Sequence, residues 1–206
     1  MIQRPNNYDI QAAQAKKLFL TYDQQEIIQR CRPEFDKAYF YIRFLGDNYR
    51  ICRRTGDMEK QKGKSWEDAN SFGEIMTILD WLCDSRADRF VSGRWVNIVT
   101  QNHAIHRDLQ EEGEDPLAAQ FDKDPEGFSN ACLALGGVRQ PGADRSYAVE
   151  LIDDLKILVQ LWHGDEEFAP RLRFLWDENA TRYIRYETTW YAASLLRQRL
   201  LEQLQQ

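Results

Sequence analysis

The stretch Leu155–Trp162 reads LKILVQLW and sets Leu155, Ile157, Val159 and Leu161 on one side of an extended chain. Successive side chains of a strand point to opposite faces, so this alternation predicts a β-strand with one apolar face. After a polar connection, Leu172, Phe174 and Trp176 alternate again. Two such runs joined by turn residues predict an antiparallel pair. A second hairpin is expected upstream. Residues 38–45 (AYFYIRFL) are aromatic and β-branched, with apolar side chains on both faces, so this strand is expected to be covered on both sides. Gly46-Asp47-Asn48 reads as its turn and residues 49–54 (YRICRR) as the returning strand. One face of that strand carries Tyr49, Ile51 and Arg53, the other Arg50, Cys52 and Arg54.

Around the hairpins the period becomes helical. Residues 8–20 predict one helix, and Asp23, three before Glu26, caps a second that Pro33 ends. Thr55-Gly56-Asp57 is a turn and 59–65 (EKQKGKS) a polar loop. Ser71 and Glu74 form a capping box ahead of Ile75, Ile78, Leu79 and Leu82, whose spacing is that of an amphipathic helix. Residues 93–100 predict a short strand and 107–115 an acidic loop or frayed helix. Asp124-Pro125 opens a helix, with Phe128, Cys132 and Leu135 on one face, that Gly136-Gly137 stops. Residues 139–145 are a loop. The final stretch, 189–206, places Ala193, Leu196, Leu200 and Leu204 on one helical face. Strands in two hairpins without βαβ alternation predict an α+β fold. The expected architecture is an antiparallel sheet built from hairpins and packed by amphipathic helices, in one domain over 1–206.

The chain has 206 residues, 43% of them hydrophobic, six of them Trp. A chain of this size buries roughly 70% of its unfolded surface, which suffices without disulfides or metals. The net charge of −6 argues against a general nucleic-acid binder, which gains affinity by releasing counterions from phosphates. No run approaches the ~18 apolar residues of a membrane-spanning helix, and the polar start MIQRPNNYD lacks a signal-peptide core. A soluble, cytoplasmic protein is expected. Cysteines at 31, 52, 83 and 132 show no CxxC spacing, so reduced and mostly buried thiols are expected. A cluster or disulfide assembled from distant positions is the alternative.

Three constellations could carry chemistry. In Trp162-His163-Gly164-Asp165-Glu166-Glu167-Phe168-Ala169-Pro170, three consecutive carboxylates beside a histidine suit a divalent cation, which takes several oxygen ligands. Asp177, at the end of the following strand, is expected at the same end of the hairpin. The plainer reading is a solvated acidic turn anchored to the core by Trp162 and Phe168. Next, His103 and His106 stand at i and i+3, a spacing that puts two imidazoles on one helical face for a transition metal; surface histidines are the alternative. Last, Arg50, Arg53 and Arg54, with Arg43 on the facing strand, either hold a phosphate or carboxylate in bidentate fashion or serve as edge-strand charges. No P-loop, GxGxxG, GxSxG or HExxH is present in the sequence.

Gln160 to Phe168, then Pro170 and Trp176-Asp177, resembles the C-terminal signature of an uncharacterised bacterial family known only as a domain of unknown function and common in anaerobes. Ser92-Gly93-Arg94-Trp95-Val96-Asn97 is similar to that family's central G-K-W-V segment, and Phe44-Leu45-Gly46 followed by Tyr49 to its N-terminal part. Some members are joined to a cysteine-rich iron–sulfur segment, so the resemblance implies a link to anaerobic redox or corrinoid metabolism. This sequence holds no such segment, and the resemblance carries no catalytic residue.

The expectation is therefore a ligand- or partner-binding accessory protein of cytoplasmic bacterial metabolism, without catalysis of its own. Its site would comprise Trp162, His163, Asp165, Glu166, Glu167 and Asp177, and its partner would be a small molecule or a protein, not nucleic acid or membrane. One alternative is a metal-dependent enzyme holding a divalent metal on Asp165, Glu166 and Glu167 with His103, His106 or His163. Another is a structural partner in an oligomer, joined through the C-terminal helix.

Overall fold

In a computed structural model of the protein, residues 6–101 and 115–204 are described. They fall into two compact units, one reaching to Arg89 and including Thr181–Leu195, the other comprising Phe90–Ala180 and the chain from Leu196. The chain is α+β, and the strand pairs within each unit are antiparallel. Among the described residues no helix is long and apolar enough to cross a membrane.

The first unit begins with α1 (Asn7–Phe19), capped by Asn6 and Asp9, and α2 (Gln24–Cys31), capped by Asp23. Then come β1 (Glu34–Phe35), β2 (Tyr39–Phe44), β3 (Asp47–Cys52), β4 (Met58–Lys62), β5 (Ser65–Asp68) and α3 (Phe72–Asp84). Strands β2 to β5 lie side by side in chain order, with β1 on β2. The β2–β3 turn is tighter than expected. Phe44 pairs with Asp47, so only Leu45 and Gly46 connect the strands, at φ 46° and 81°. Positive φ at both positions is what a type I′ turn requires.

Phe40, Ile42 and Phe44 of β2 and Tyr49 and Ile51 of β3 are buried on one face, where Phe19 of α1 meets Phe40 edge-on at 6.3 Å. The other face is not covered as expected. Tyr39 and Tyr41 are half-buried and Arg43 is exposed. Phenol rings tolerate a wet face because one end is polar, and here Arg50 stacks over Tyr39 at 4.4 Å and Trp66 at 4.7 Å.

The expected polar loop at 59–65 belongs instead to the β4–β5 hairpin, turned at Gly63-Lys64. It lacks an apolar face, and cross-strand ion pairs such as Lys62–Glu67 (2.7 Å) accompany its ladder. Ser71 precedes α3 but makes no side-chain cap, and Glu74 turns inward to accept the Tyr49 hydroxyl at 2.8 Å, so the expected capping box does not form. Arg30 of α2 closes the other end of α3 by donating to the carbonyls of Leu82 and Cys83, a cation placed where a helix is negative.

The second unit contains β6 (Trp95–Val96), α4 (Ile98–Gln101), α5 (Pro116–Lys123), α6 (Pro125–Ala134), β7 (Val138–Arg139), β8 (Arg145–Ile152), β9 (Leu155–Trp162) and β10 (Arg171–Asp177). Strands β8, β9, β10 and β6 adjoin in that order, with β7 on β8. The expected hairpin is β9–β10. Strand β8 had no expected counterpart: Ser146 to Val149, Leu151 and Ile152 are buried, so both faces are covered and no alternation is left to read.

The segment 93–100 is strand only at Trp95–Val96, since the Asn97 side chain accepts the Val99 amide at 3.0 Å and starts a helical turn. Asp115-Pro116 and Asp124-Pro125 open α5 and α6 by the same device, an aspartate cap followed by proline. Phe121, Phe128 and Tyr147 meet edge to face in series where these helices meet the strands. Helix α7 (Tyr186–Leu204) closes the described chain, with Ala192, Leu195, Leu196 and Leu200 buried.

Candidate functional site

Trp162 and Arg171 face each other as the last pair of β9 and β10, and residues 163–170 connect them. Asp165 organises the connection. Its Oδ1 accepts the amides of Glu167 (2.9 Å) and Phe168 (2.7 Å), while its own amide donates to the Phe168 carbonyl at 2.9 Å. The amides of Glu167 and Phe168 hold its carboxyl below the usual aspartate value, because they stabilise the charged form. At Gly164 a Cβ would stand 2.8 Å from Pro170 Cδ, so the chain crosses itself only with glycine there.

Two aspartates from outside the turn pin it. The His163 amide donates to Asp144 Oδ2 (2.8 Å), and the His163 ring meets Asp122 Oδ1 of α5 (2.7 Å) through Nδ1. Asp122 Oδ1 also accepts the Gly164 amide at 3.3 Å. Nothing in the sequence marks either aspartate, because each is distant along the chain and ordinary in its local context. Glu166 and Glu167 point outward from this frame. Trp162 is 40% exposed and Phe168 64%, so they do not anchor the turn to the core. A concavity of about 540 Å³ lies between Asp122 and residues 164–170.

Asp177 is elsewhere. It ends β10 six residues past Arg171, which is ~20 Å along the strand. There it is buried and accepts the Gly93 amide (2.8 Å), the Ser92 hydroxyl (3.1 Å) and the Asn179 amide (2.9 Å). Its position follows from antiparallel pairing, which carries the end of the second strand away from the turn. The acidic run does not converge on one point either, since Asp165 faces its own backbone while Glu166 and Glu167 face solvent. Among the described residues no group of three or more His, Cys, Asp or Glu side chains is placed to hold a metal. His103 and His106 lie outside the described residues.

The arginine group is also dispersed. Strand β3 lies between β2 and β4, so its Arg50 is not an edge charge. Arg50 forms a two-pronged pair with Glu59 at 2.7 and 2.9 Å. Arg53 and Arg54 follow the strand, in the turn after Cys52.

The model of the family described as "domain of unknown function (DUF3786)" matches residues 23–199. The chain belongs to that family. The three segments that carried the resemblance, at 44–49, 92–97 and 160–177, all fall inside the matched span of this DUF3786 chain. No curated protein and no solved structure matches it.

Proposed function

We propose that this DUF3786 domain is a non-catalytic binding module of bacterial cytoplasmic metabolism that docks a partner protein through the Trp162–Pro170 turn. The observation that carries this reading is a hydrogen-bonded turn with exposed side chains. Asp165, Asp122 and Asp144 hold the backbone of 163–168 by hydrogen bonds, while Trp162, Glu166, Glu167 and Phe168 remain exposed. A surface already held in its binding conformation loses little entropy on association, and aromatic side chains are the residues that anchor interfaces. The partner surface that fits is basic with an apolar pocket or side chain for Phe168. Four free cysteines accord with a reducing compartment.

The test is peptide display against the full chain, counter-selected on a Trp162→Ala, Phe168→Ala, Glu166→Lys triple variant that keeps the pinning aspartates. Peptides rich in Lys and Arg that bind the natural chain and weaken at high salt support the reading. Peptides that bind both proteins equally, or none that bind, overturn it.

A further inference from the structure

A second concavity, of about 610 Å³, opens in the first unit, away from the turn in sequence and in chemistry. Gln24, Lys37, Ala38, Tyr39, Cys52, Arg53 and Arg54 line it. It forms because β3 ends at Cys52 and the chain folds straight back: the Gly56 amide donates to the Cys52 carbonyl (2.8 Å), and the Cys52 amide to the Asp57 carbonyl (2.8 Å). Gly56 takes φ +73°, and a Cβ there would lie 3.2 Å from Lys16. One wall is rigid. Arg53 Nε donates to Gln24 Oε1 (2.9 Å), Gln24 Nε2 returns a bond to the Arg53 carbonyl (2.6 Å), and Arg53 Nη1 donates to the Asp36 carbonyl (2.6 Å). The guanidinium also lies over Phe40 at 5.0 Å.

The lining is cationic. The hydrogen bonds of Arg53 go to neutral acceptors, and Lys37 and Arg54 are exposed at the cavity. Asp36, whose carboxyl feels Arg53, directs its oxygens to the amides of Ala38 and Tyr39 and to the Tyr41 hydroxyl. Tyr39 supplies a ring that Arg50 holds in place. We propose that this cavity is a binding site for a small organic anion. A carboxylate or phosphate of that anion is held by Arg54 and Lys37 and its body rests against Tyr39. Guanidinium and ammonium groups bind either oxyanion by charge-assisted hydrogen bonds. The Cys52 thiol in the wall responds to the same field. Burial raises its pKa, but the Thr55 hydroxyl, the amides of Arg54 and Thr55 and the charge of Arg54 together bring it below the usual thiol value.

Cys52 also makes the site measurable, because Cys31, Cys83 and Cys132 are buried and Cys52 is half-exposed. Alkylation rates of the full chain with iodoacetate and with iodoacetamide, followed by intact mass, compare an anionic with a neutral reagent at one thiol. The expected result is an iodoacetate-to-iodoacetamide ratio several-fold above that of a cysteine peptide, as unit charges one cavity width away would produce. A Lys37→Gln, Arg54→Gln variant, which keeps Arg53, should fall toward the peptide ratio. In the natural chain, inorganic phosphate or succinate should protect Cys52 from both reagents better than sodium chloride of equal ionic strength. Protection by phosphate alone or by succinate alone tells which oxyanion the site takes. A peptide-like ratio, or protection no better than chloride, overturns the site whether or not the variant folds. None of these measurements touches the 162–170 turn, so this outcome is independent of partner docking.

Discussion

The backbone amide of Arg185 donates to Asp80 Oδ2 at 2.7 Å, and its guanidinium pairs with Oδ1 of the same carboxylate, 105 positions earlier in the chain. The Asp80 side chain is fully buried, whereas Arg185 remains about half exposed. Burial raises the Asp80 carboxyl above the usual aspartate value, although Thr188 and Arg185 act in the opposite direction. The folded protein therefore holds this proton more tightly than the unfolded chain, and stability from this group is lost as pH rises through the folded value. Arg185→Met removes the compensating charge and should cost about 3 kcal/mol at pH 7. The cost should shrink toward pH 4, where the carboxyl is increasingly neutral. Urea unfolding at the two pH values checks this, and equal costs at both would remove the explanation.

Backbone conformation predicts substitutions of opposite sign. Arg32 ends α2 at φ 53°, exposed, in a conformation that favours glycine. Arg32→Gly should raise stability by about 0.5–1 kcal/mol, the relieved strain less the added freedom of the unfolded chain. Gly56→Ala should lower it by at least ~1 kcal/mol, since φ is positive there and Lys16 stands in the way. Chemical denaturation of both variants reads the signs directly.

At the acidic turn, Asp165→Ala should leave the β9–β10 ladder intact but free the amides of Glu167 and Phe168. Hydrogen exchange at those two amides should rise roughly fivefold, the effect of one lost hydrogen bond, while Asp165→Asn keeps an acceptor and changes it less. In the natural chain the carboxyl is depressed, so its contribution is present above the unfolded value and is lost as pH falls through the folded one. The amide shifts of Glu167 and Phe168 should accordingly titrate with a midpoint below the usual aspartate range.

Asp177 should behave as a structural residue. Asp177→Ala leaves the amides of Gly93 and Asn179 without their acceptor and should destabilise by about 2–4 kcal/mol. Asp177→Asn should cost less, and it should not change peptide binding at the turn. A loss of binding in a stable Asp177→Asn protein would bring this residue back into the site.

Legibility in the sequence followed the spacing of polar residues along each element. Strands β9 and β10 show alternation because Lys156 and Gln160, and Arg171 and Arg173, fall between their apolar residues, although residues 157–161 of β9 are buried on both faces. Helix α3 likewise shows the spacing of Ile75, Ile78, Leu79 and Leu82 although Thr77, Asp80 and Trp81 are buried as well. Strand β8 is buried on both faces without such a spacing, and of the β4–β5 hairpin only Met58 is buried, so periodicity is silent in both. Of the site, the turn and its exposed carboxylates were visible. The pinning by Asp122 and Asp144, and the cavity beside Cys52, depend on residues brought together from distant positions.

By itself, then, the amino-acid order determined what local forces decide: the α+β class, the two hairpins, the helix caps at Asp23 and Asp124 and the position of the acidic turn. Caps, turns and apolar periods act between residues a few positions apart, so they can be read along the chain. Tertiary structure alone decided which carboxylates do what. Asp165, Asp177 and Asp80 are chemically alike in the sequence. One folds a loop, one clamps a distant segment and one is buried against an arginine, because a carboxylate's role follows from the amides, charges and solvent that the completed fold places around it.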